Sequence, residues 1–423
     1  MTMEVTTLGT LLALVVTIGL ILRQVAPAYA MMAGAFVGGI SGGAALNGTL
    51  QIMLTGAEGM VGVVLRVLAA GVLAGVLIES GAAKKIAESI LNGLGEKKGL
   101  LAVAGATMIL TGVGVYVAVA VLTIAPVALA IGKRTNMSKL AVLLAISGGG
   151  KAGNIISPNP NSIAVSDAFD VPLTTVMFAG VFPAVVGVGI AYMMAQKLRQ
   201  VGEAVESKDM TTEEDSEDMS LMKALSAPAT AIFLLLLQPT AGIVIDPLFA
   251  LPAGGVVGTL VMGKGSYLNH YIQSGLGKMA GVAILLLGTG TLAGVITNSA
   301  IIGHILNGID TFHIPAYVLA PLSGIIMSGA TGSTAAGTAV AGSVFAPTMM
   351  ELRLHGLAGA AMVNAGATVL DHMPHGTYFH ITRSSVHMGM KERFKLLPYE
   401  TVIGLVIAIV STLIFGVLGV LFL

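Results

Sequence analysis

Four residues of this chain combine a titratable side chain with apolar surroundings: Lys151, Asp371, His372 and His375. Lys151 stands in SGGGKAGNIISPNPNSIAVSD, residues 147–167, and the other three in NAGATVLDHMPHGTYFH, residues 364–380. In the first stretch Pro158 and Pro160 lack an N–H donor, and Gly148 to Gly150 resist helix, so a helix running through it is expected to open here. Open backbone at membrane depth survives only when buried in protein or facing a watery cavity. Asn154, Ser157, Asn159, Asn161 and Ser162 can satisfy that backbone or hold a ligand; the plainer alternative is a proline kink packed on its neighbours. Lys151 is the only cation of this stretch. Its expected partner is Asp371 or an anionic ligand, unless it snorkels from a helix end. In the second stretch Asp371, His372 and His375 cluster around Pro374. Ionisable groups inside a span are costly and mark function by default, here the movement of a proton, unless the stretch lies at the wet end of its helix.

Two segments rich in small residues complete the set. TGVGVYVAV, residues 111–119, places Gly112, Gly114 and Tyr116 together, and SGATGSTAAGTAVAG, residues 328–342, places Gly329, Thr331, Gly332, Ser333 and Thr334 together. Read as hairpin tips, they offer hydroxyls and free backbone N–H groups at half-helix starts, which suit an anion. Close helix packing is the alternative for such residues and suffices for Gly337 and Ala341. The pattern places Lys151, Asn154, Asn159 and Asn161 on one side of a bound anion, and Thr331, Ser333, Thr334, His375 and Thr377 on the other. Asp371 or a neighbouring histidine would then carry a coupled proton.

Such residues need a hydrophobic framework, and the composition supplies one. Of 423 residues 55% are hydrophobic and 10% charged, with a mean hydropathy of +0.92; a water-soluble domain carries roughly 25% charged residues. Apolar runs long enough to span a bilayer recur throughout, so an all-α, multi-pass membrane protein is expected. The zero net charge argues against a nucleic-acid surface, and the absence of cysteine removes disulfides and thiol chemistry. Tryptophan is absent too, so the usual indole belt is missing. VAPAYA, residues 25–30, looks like a signal-peptidase site, but Glu4 and the lack of any cation before Arg23 favour a retained first helix.

The chain then rhymes with itself. PAYAMMAGAFVGG from Pro27 matches PLFALPAGGVVGT from Pro247, and GVLAGVLIES from Gly71 matches GTLAGVITNS from Gly290. LNGL at 91–94 answers LNGI at 306–309, TGVG at 111 answers SGAT at 328, and Ala125-Pro126 answers Ala346-Pro347. Collinear matches at one near-constant offset indicate an internal repeat, as in secondary transporters. Residues 1–200 and 224–423 are the expected repeats, joined by an acidic linker at 201–223. In the first, spans are expected near 5–22, 27–46, 59–79, 137–165 and 172–197, with an amphipathic helix at 82–95 and a re-entrant hairpin over 99–132. Five crossings are odd, so the second repeat is expected to be inverted. Cations such as Arg23, Lys84, Lys133, Arg134 and Lys197 fall on one side, Asp167 and Asp170 on the other. The positive side is cytoplasmic, which puts the linker inside and both termini outside.

GVLAGVLIESGAAKKIAESIL, from Gly71, together with SGATGSTAAGTAVAGSVFAPTMM, from Ser328, resembles the gluconate:proton symporter (GntP) family over about residues 60–410. The resemblance implies a bacterial cytoplasmic-membrane carrier that takes up a sugar acid or small hydroxy acid with protons. It further implies a homodimer whose mobile domain bears both hairpins and both broken helices, moving as an elevator. SPNPNS at 157–162 replaces the family's PPHPGP, and HMPHG at 372–376 its NDPG, so the pocket is altered. Neither tip carries the Ser-Asn-Thr triplet of sodium-coupled relatives, which favours protons. A sodium-coupled carboxylate carrier is the nearest rival, an ion channel a more distant one. No Walker A motif, HExxH spacing or nucleophile constellation appears, so no ATP drive, metal, cofactor or enzymatic activity is expected.

Overall fold

Apolar residues without alternation, interrupted by glycine and proline, make helices, and regular structure among the described residues is helical, with no strand. The structure, a computed structural model, describes residues 5–23, 25–94, 98–209, 219–301, 304, 315–374 and 376–419. The first half comprises α1 (Thr7–Leu22), α2 (Pro27–Ser41), α3 (Leu46–Glu58), α4 (Val61–Glu79), α5 (Ala82–Leu94), α6 (Gly99–Gly112), α7 (Val117–Arg134), α8 (Lys139–Asn154), α9 (Pro160–Ala168) and α10 (Leu173–Lys197). The second comprises α11 (Leu221–Ala241), α12 (Pro247–Val261), α13 (Leu268–Thr297), α14 (Leu319–Thr331), α15 (Thr334–Glu351), α16 (Gly356–Gly366), α17 (Thr377–Ser385), α18 (Met390–Phe394) and α19 (Leu397–Thr412), the last continuing as a π-helical turn. Among the described residues, six helical stretches are long and apolar enough to cross a membrane: Val61–Glu79, Val117–Arg134, Leu173–Lys197, Leu221–Ala241, Gly265–Thr297 and Met390–Leu418.

The two halves share an order of elements. α2 and α12 are each 15 residues long and start on proline, whose fixed φ and missing N–H suit a first helical position. α7 and α15 are each 18 residues, α9 and α17 each 9. Packing repeats as well: α1 lies on α2 as α11 lies on α12, and α6 lies on α8 as α14 lies on α16. Across the halves the partners are exchanged. α2 packs on α13 and α12 on α4, while α7 packs on α17 and α9 on α15. The result is two packing groups, α1–α4 with α11–α13 and α6–α10 with α14–α19, which meet where α13 touches α15 and α4 touches α9 and are bridged by α5, packed on α6 and α7 of one and on α11 and α4 of the other. The LNGI match at 306–309 and linker residues 210–218 lie outside the described residues.

Glycine sets how closely the helices approach. Gly71 and Gly75 of α4 press on Gly275 of α13, and Gly56 of α3 on Gly290 and Gly294, leaving no room for a Cβ on any of the six. Arg66, in the second turn of α4, ties three elements together. Its guanidinium takes Asp246, the N-cap of α12, at 2.9–3.2 Å, and also pairs with Asp167 near the end of α9.

Two expectations differ from the structure. The span expected over 27–46 ends at Ser41, and Leu46–Glu58 forms a separate helix that buries only Gly48 and Thr49; its mixed polarity hides it from a search for apolar runs. The helix through Gly148–Gly150 does not open at those glycines. α8 runs on to Asn154 because Gly148 faces Ala191, Gly149 the Ala104 carbonyl and Gly153 Thr111, and these contacts need the absence of a Cβ. Packing of that kind outweighs a helix penalty of about 1 kcal/mol per glycine. The opening comes later, at residues 155–159.

Candidate functional site

The two hairpins and the two interrupted helices converge. Each hairpin turns on a glycine in the left-handed region, Gly114 at φ 105° and Gly332 at φ 63°, where a side chain would strain the backbone. Each tip then packs on the break of its own half: Gly112 against Ile156, Gly329 against Leu370, and Gly332 backbone to backbone with Gly376. These contacts bring Tyr116, Thr331, Gly332, Ser333 and Thr334 around one cavity of about 600 Å³. Asn154 and Asn161 enter it from the first break, Asp371 and Thr377 from the second. The opposite wall comes from the turn between α1 and α2, at Val25–Ala28, and from α13, at Lys278, Gly281, Val282, Ile284 and Leu285.

Helix starts dominate the first wall. The beginnings of α7, α9, α15 and α17 all line the cavity, through Val117, Asn161, Thr334 and Thr377. The caps of α7 and α17, Tyr116 and Gly376, provide no side-chain acceptor for the first-turn N–H groups. Ser333 reaches only the Ala336 N–H, at 3.4 Å. Unsatisfied N–H groups and aligned helix dipoles make such starts places for negative charge. α9 is different, because Asn159 Oδ1 accepts from the N–H groups of Asn161 and Ser162 at 3.1 Å. Its Nδ2 donates to the Asn154 carbonyl at 2.8 Å and to Asn154 Oδ1 at 2.6 Å. Asn159 therefore spends its whole amide holding the break, and does not line the cavity. Asn161 Nδ2 has no partner although it is buried and reaches the cavity. A buried donor left unpaired is costly unless a ligand or water fills the place.

Behind this wall lies a charged cluster. Lys151 is 1% exposed, and its three donors go to Asp371 Oδ1, the Thr368 carbonyl and His372 Nδ1. An ammonium has no fourth donor, so Lys151 has nothing left for a ligand. His372 Nδ1 stands 3.2 Å from Lys151 Nζ and 3.3 Å from Asp371 Oδ1, and with Nδ1 accepting from Lys151 the Nε2–H donates to the Leu397 carbonyl at 3.0 Å. Asp371 Oδ2 accepts from Thr334 Oγ1 at 2.7 Å, which connects the buried pair to the tip of the second hairpin. Ser162 Oγ accepts from Asn364 Nδ2 at 3.3 Å, away from the cavity, while Ser157 Oγ and Asn364 Oδ1 are buried without partners. His375 lies outside the described residues.

Three participants escaped the sequence reading. Lys278 and Tyr378 line the cavity, and Tyr378 begins a chain of hydrogen bonds leading inward. Its hydroxyl donates to Ser147 Oγ at 3.2 Å, and Ser147 donates to Glu400 Oε1 at 2.5 Å. Glu400 is fully buried and forked by Arg393 at 2.6 and 3.1 Å, with the guanidinium stacked 4.7 Å over the Phe379 ring. The available signal was that Lys278 and Glu400 are charges in apolar helices.

Residues 1–252 match the family model of the GntP family permeases, and residues 223–312 that of the Na+-H+ antiporter family. An uncharacterized transporter of Haemophilus influenzae is 55% identical over 98% of this chain and 99% of its own length. An uncharacterized permease of the same organism is 32% identical over 43% of this chain and 38% of its own length. Among solved structures, the YdaH transporter of Alcanivorax borkumensis, described as having an unusual topology, superposes with a TM-score of 0.66 at 17% identity, covering 88% of this chain and 89% of its own. MtrF of Neisseria gonorrhoeae superposes at 0.51 and 14% identity, covering 86% and 83%. At those identities the likeness is one of fold. The family match covers more than half of the chain and the nearly full-length relative is a transporter, so this multi-pass membrane protein belongs to the GntP family of permeases.

Proposed function

We propose that this chain is a secondary transporter that carries a small organic anion, a sugar acid or hydroxy acid of gluconate or glycerate type, together with protons. One observation carries the reading: the starts of four helices and the unpartnered Asn161 amide surround a single cavity. Donors and dipoles of one sign at a shared void fit an anion and disfavour a cation. In this reading the anion's acid group takes the free N–H groups of α7, α15 and α17. Ser333 and Thr377 add hydroxyls, while the single hydroxyl protons of Thr331 and Thr334 go to the Met327 carbonyl and to Asp371. Lys151 holds Asp371 in place. Asp371 carries the coupled proton, with the adjacent His372 and, from the same stretch of sequence, His375 as proton relays, and Thr334 links its protonation to the hairpin tip. The repeated order of elements and the exchanged packing support two inverted repeats, and the positive-inside rule puts the acidic linker in the cytoplasm of a bacterial cell. Alternating access is then movement of the hairpin-bearing group past α1–α4 and α11–α13 in each protomer of a homodimer.

Purified protein in liposomes tests this with radiolabelled gluconate and glycerate. Uptake should rise with an inward proton gradient, collapse with a protonophore and need no sodium. No uptake of either acid, or uptake indifferent to the proton gradient, overturns it. A sodium-coupled carrier is the second reading, favoured by two buried oxygens without partners, Ser157 Oγ and Asn364 Oδ1, which are ligands of the type a hard cation takes. Dependence on sodium at fixed pH would select it.

A further inference from the structure

We propose that Lys278 is a second contact for the anion, made from α13 across the cavity; this rests on the anion-transport reading. Two charged side chains line the cavity among the described residues, Asp371 and Lys278. Asp371 is matched by Lys151, whose donors are all taken. The positive charge the cavity wall can offer directly is therefore that of Lys278, facing the helix starts from the other side.

The surroundings of Lys278 leave it able to act. An ammonium has three donors. One goes to Glu79 Oε1 at 2.8 Å and one to Ser274 Oγ at 2.6 Å. Ser274 donates in turn to the same Glu79 oxygen at 2.6 Å, and His270 Nε2 stands 3.8 Å from Glu79 Oε2. The lysine is aimed by this cluster rather than consumed by it, since its third donor has no partner among the described residues. A side chain 30% exposed also keeps enough water to exchange it for a ligand.

The position has a consequence for selectivity. Helix starts hold one end of the ligand, and Lys278 faces them from the other packing group. A ligand using both needs a carboxylate at one end and an oxygen acceptor at the other, from a hydroxyl, carbonyl or second carboxylate. A simple fatty acid satisfies only the first. Glu79 competes with the ligand for Lys278, so it weakens binding while it orients the ammonium.

The full-length protein in detergent, titrated with gluconate, glycerate and, as the acid lacking a distal acceptor, hexanoate, tests this by isothermal calorimetry. Lys278→Gln should weaken gluconate or glycerate binding roughly tenfold, the loss of one charge-assisted hydrogen bond. Lys278→Arg should restore most of it, and Glu79→Gln should tighten it. A purely structural Lys278–Glu79 pair predicts instead that Glu79→Gln weakens binding as Lys278→Gln does, and that result, or unchanged affinity in Lys278→Gln, overturns the proposal alone. Hexanoate binding as tightly as gluconate also overturns it. A wild-type protein that binds none of the acids overturns the anion reading together with it.

Discussion

Lys151 and Asp371 form the tightest knot of charge in the site, and their roles separate on removal. Both are buried, and Lys151 has every donor engaged. Taking away one member of a buried pair leaves an uncompensated charge, which costs about 3–5 kcal/mol. Lys151→Ala should therefore lower thermal stability in detergent sharply, while Lys151→Met combined with Asp371→Asn should recover most of the loss. A double variant no more stable than the single one would show that the pair is not the source. Asp371→Asn alone has a second readout. It keeps the Thr334 contact but has no carboxylate to protonate, so it should abolish uphill accumulation in liposomes while exchange of anion across the membrane persists. Full accumulation would move the coupling proton to His372 or His375. The residues of this knot were legible in the sequence as charges in apolar surroundings. Their division of labour was not, because Lys151 and Asp371 are 220 positions apart and nothing in either stretch fixes which partner the lysine takes.

The elements around the knot depend on glycine, and here the sequence misleads in one respect. A run such as Gly148–Gly150 reads as a helix breaker when propensity alone is weighed. Inside a bundle the same residues let α8 lie against α6 and α10, and the interruption falls instead where Pro158 and Pro160 remove donors. Glycines of the α6–α8 pair thus divide by their surroundings. A Cβ at Gly149 would run into the Ala104 carbonyl, whereas one at Gly105, on α6, would meet nothing within 4 Å. Gly149→Ala should destabilise by about 1–3 kcal/mol, as overpacking does. Gly105→Ala should be neutral or stabilising by up to about 1 kcal/mol. Equal responses in thermal unfolding would mean that the close approach does not govern stability. The hairpins were legible because small residues and half-helix starts leave a local signature. α3 was not, since its mixed polarity hides it from a search for apolar runs.

At the scale of the whole molecule, the cavity lies between two packing groups, and few polar ties cross from one to the other. Arg66 makes one of them. It belongs with α4 and α12, whose Asp246 it holds through three hydrogen bonds, and it also reaches Asp167 of α9 in the other group. The proposed elevator motion would carry α9 past α4, which requires the Arg66–Asp167 contact to break while Arg66–Asp246 persists. The collinear matches led only to the expectation of a repeat; the packing of elements of one half on those of the other was not legible, because it depends on contacts more than 150 residues apart, such as α7 with α17. Orientation is open to a direct check: a cysteine at Ser216 in the linker should react with an impermeant thiol reagent only from the cytoplasmic side. The absence of native cysteine makes that check clean, and makes possible a sharper one of the motion. Arg66→Cys with Asp167→Cys places two thiols on the two groups. Joining them with a short bismaleimide should stop uptake of gluconate or glycerate, whereas the uncoupled double variant should retain measurable transport. A joined protein that still transports at the rate of the unjoined one would show that α4 and α9 do not separate in the cycle, and the elevator reading would have to give way to a rearrangement confined to the hairpin tips.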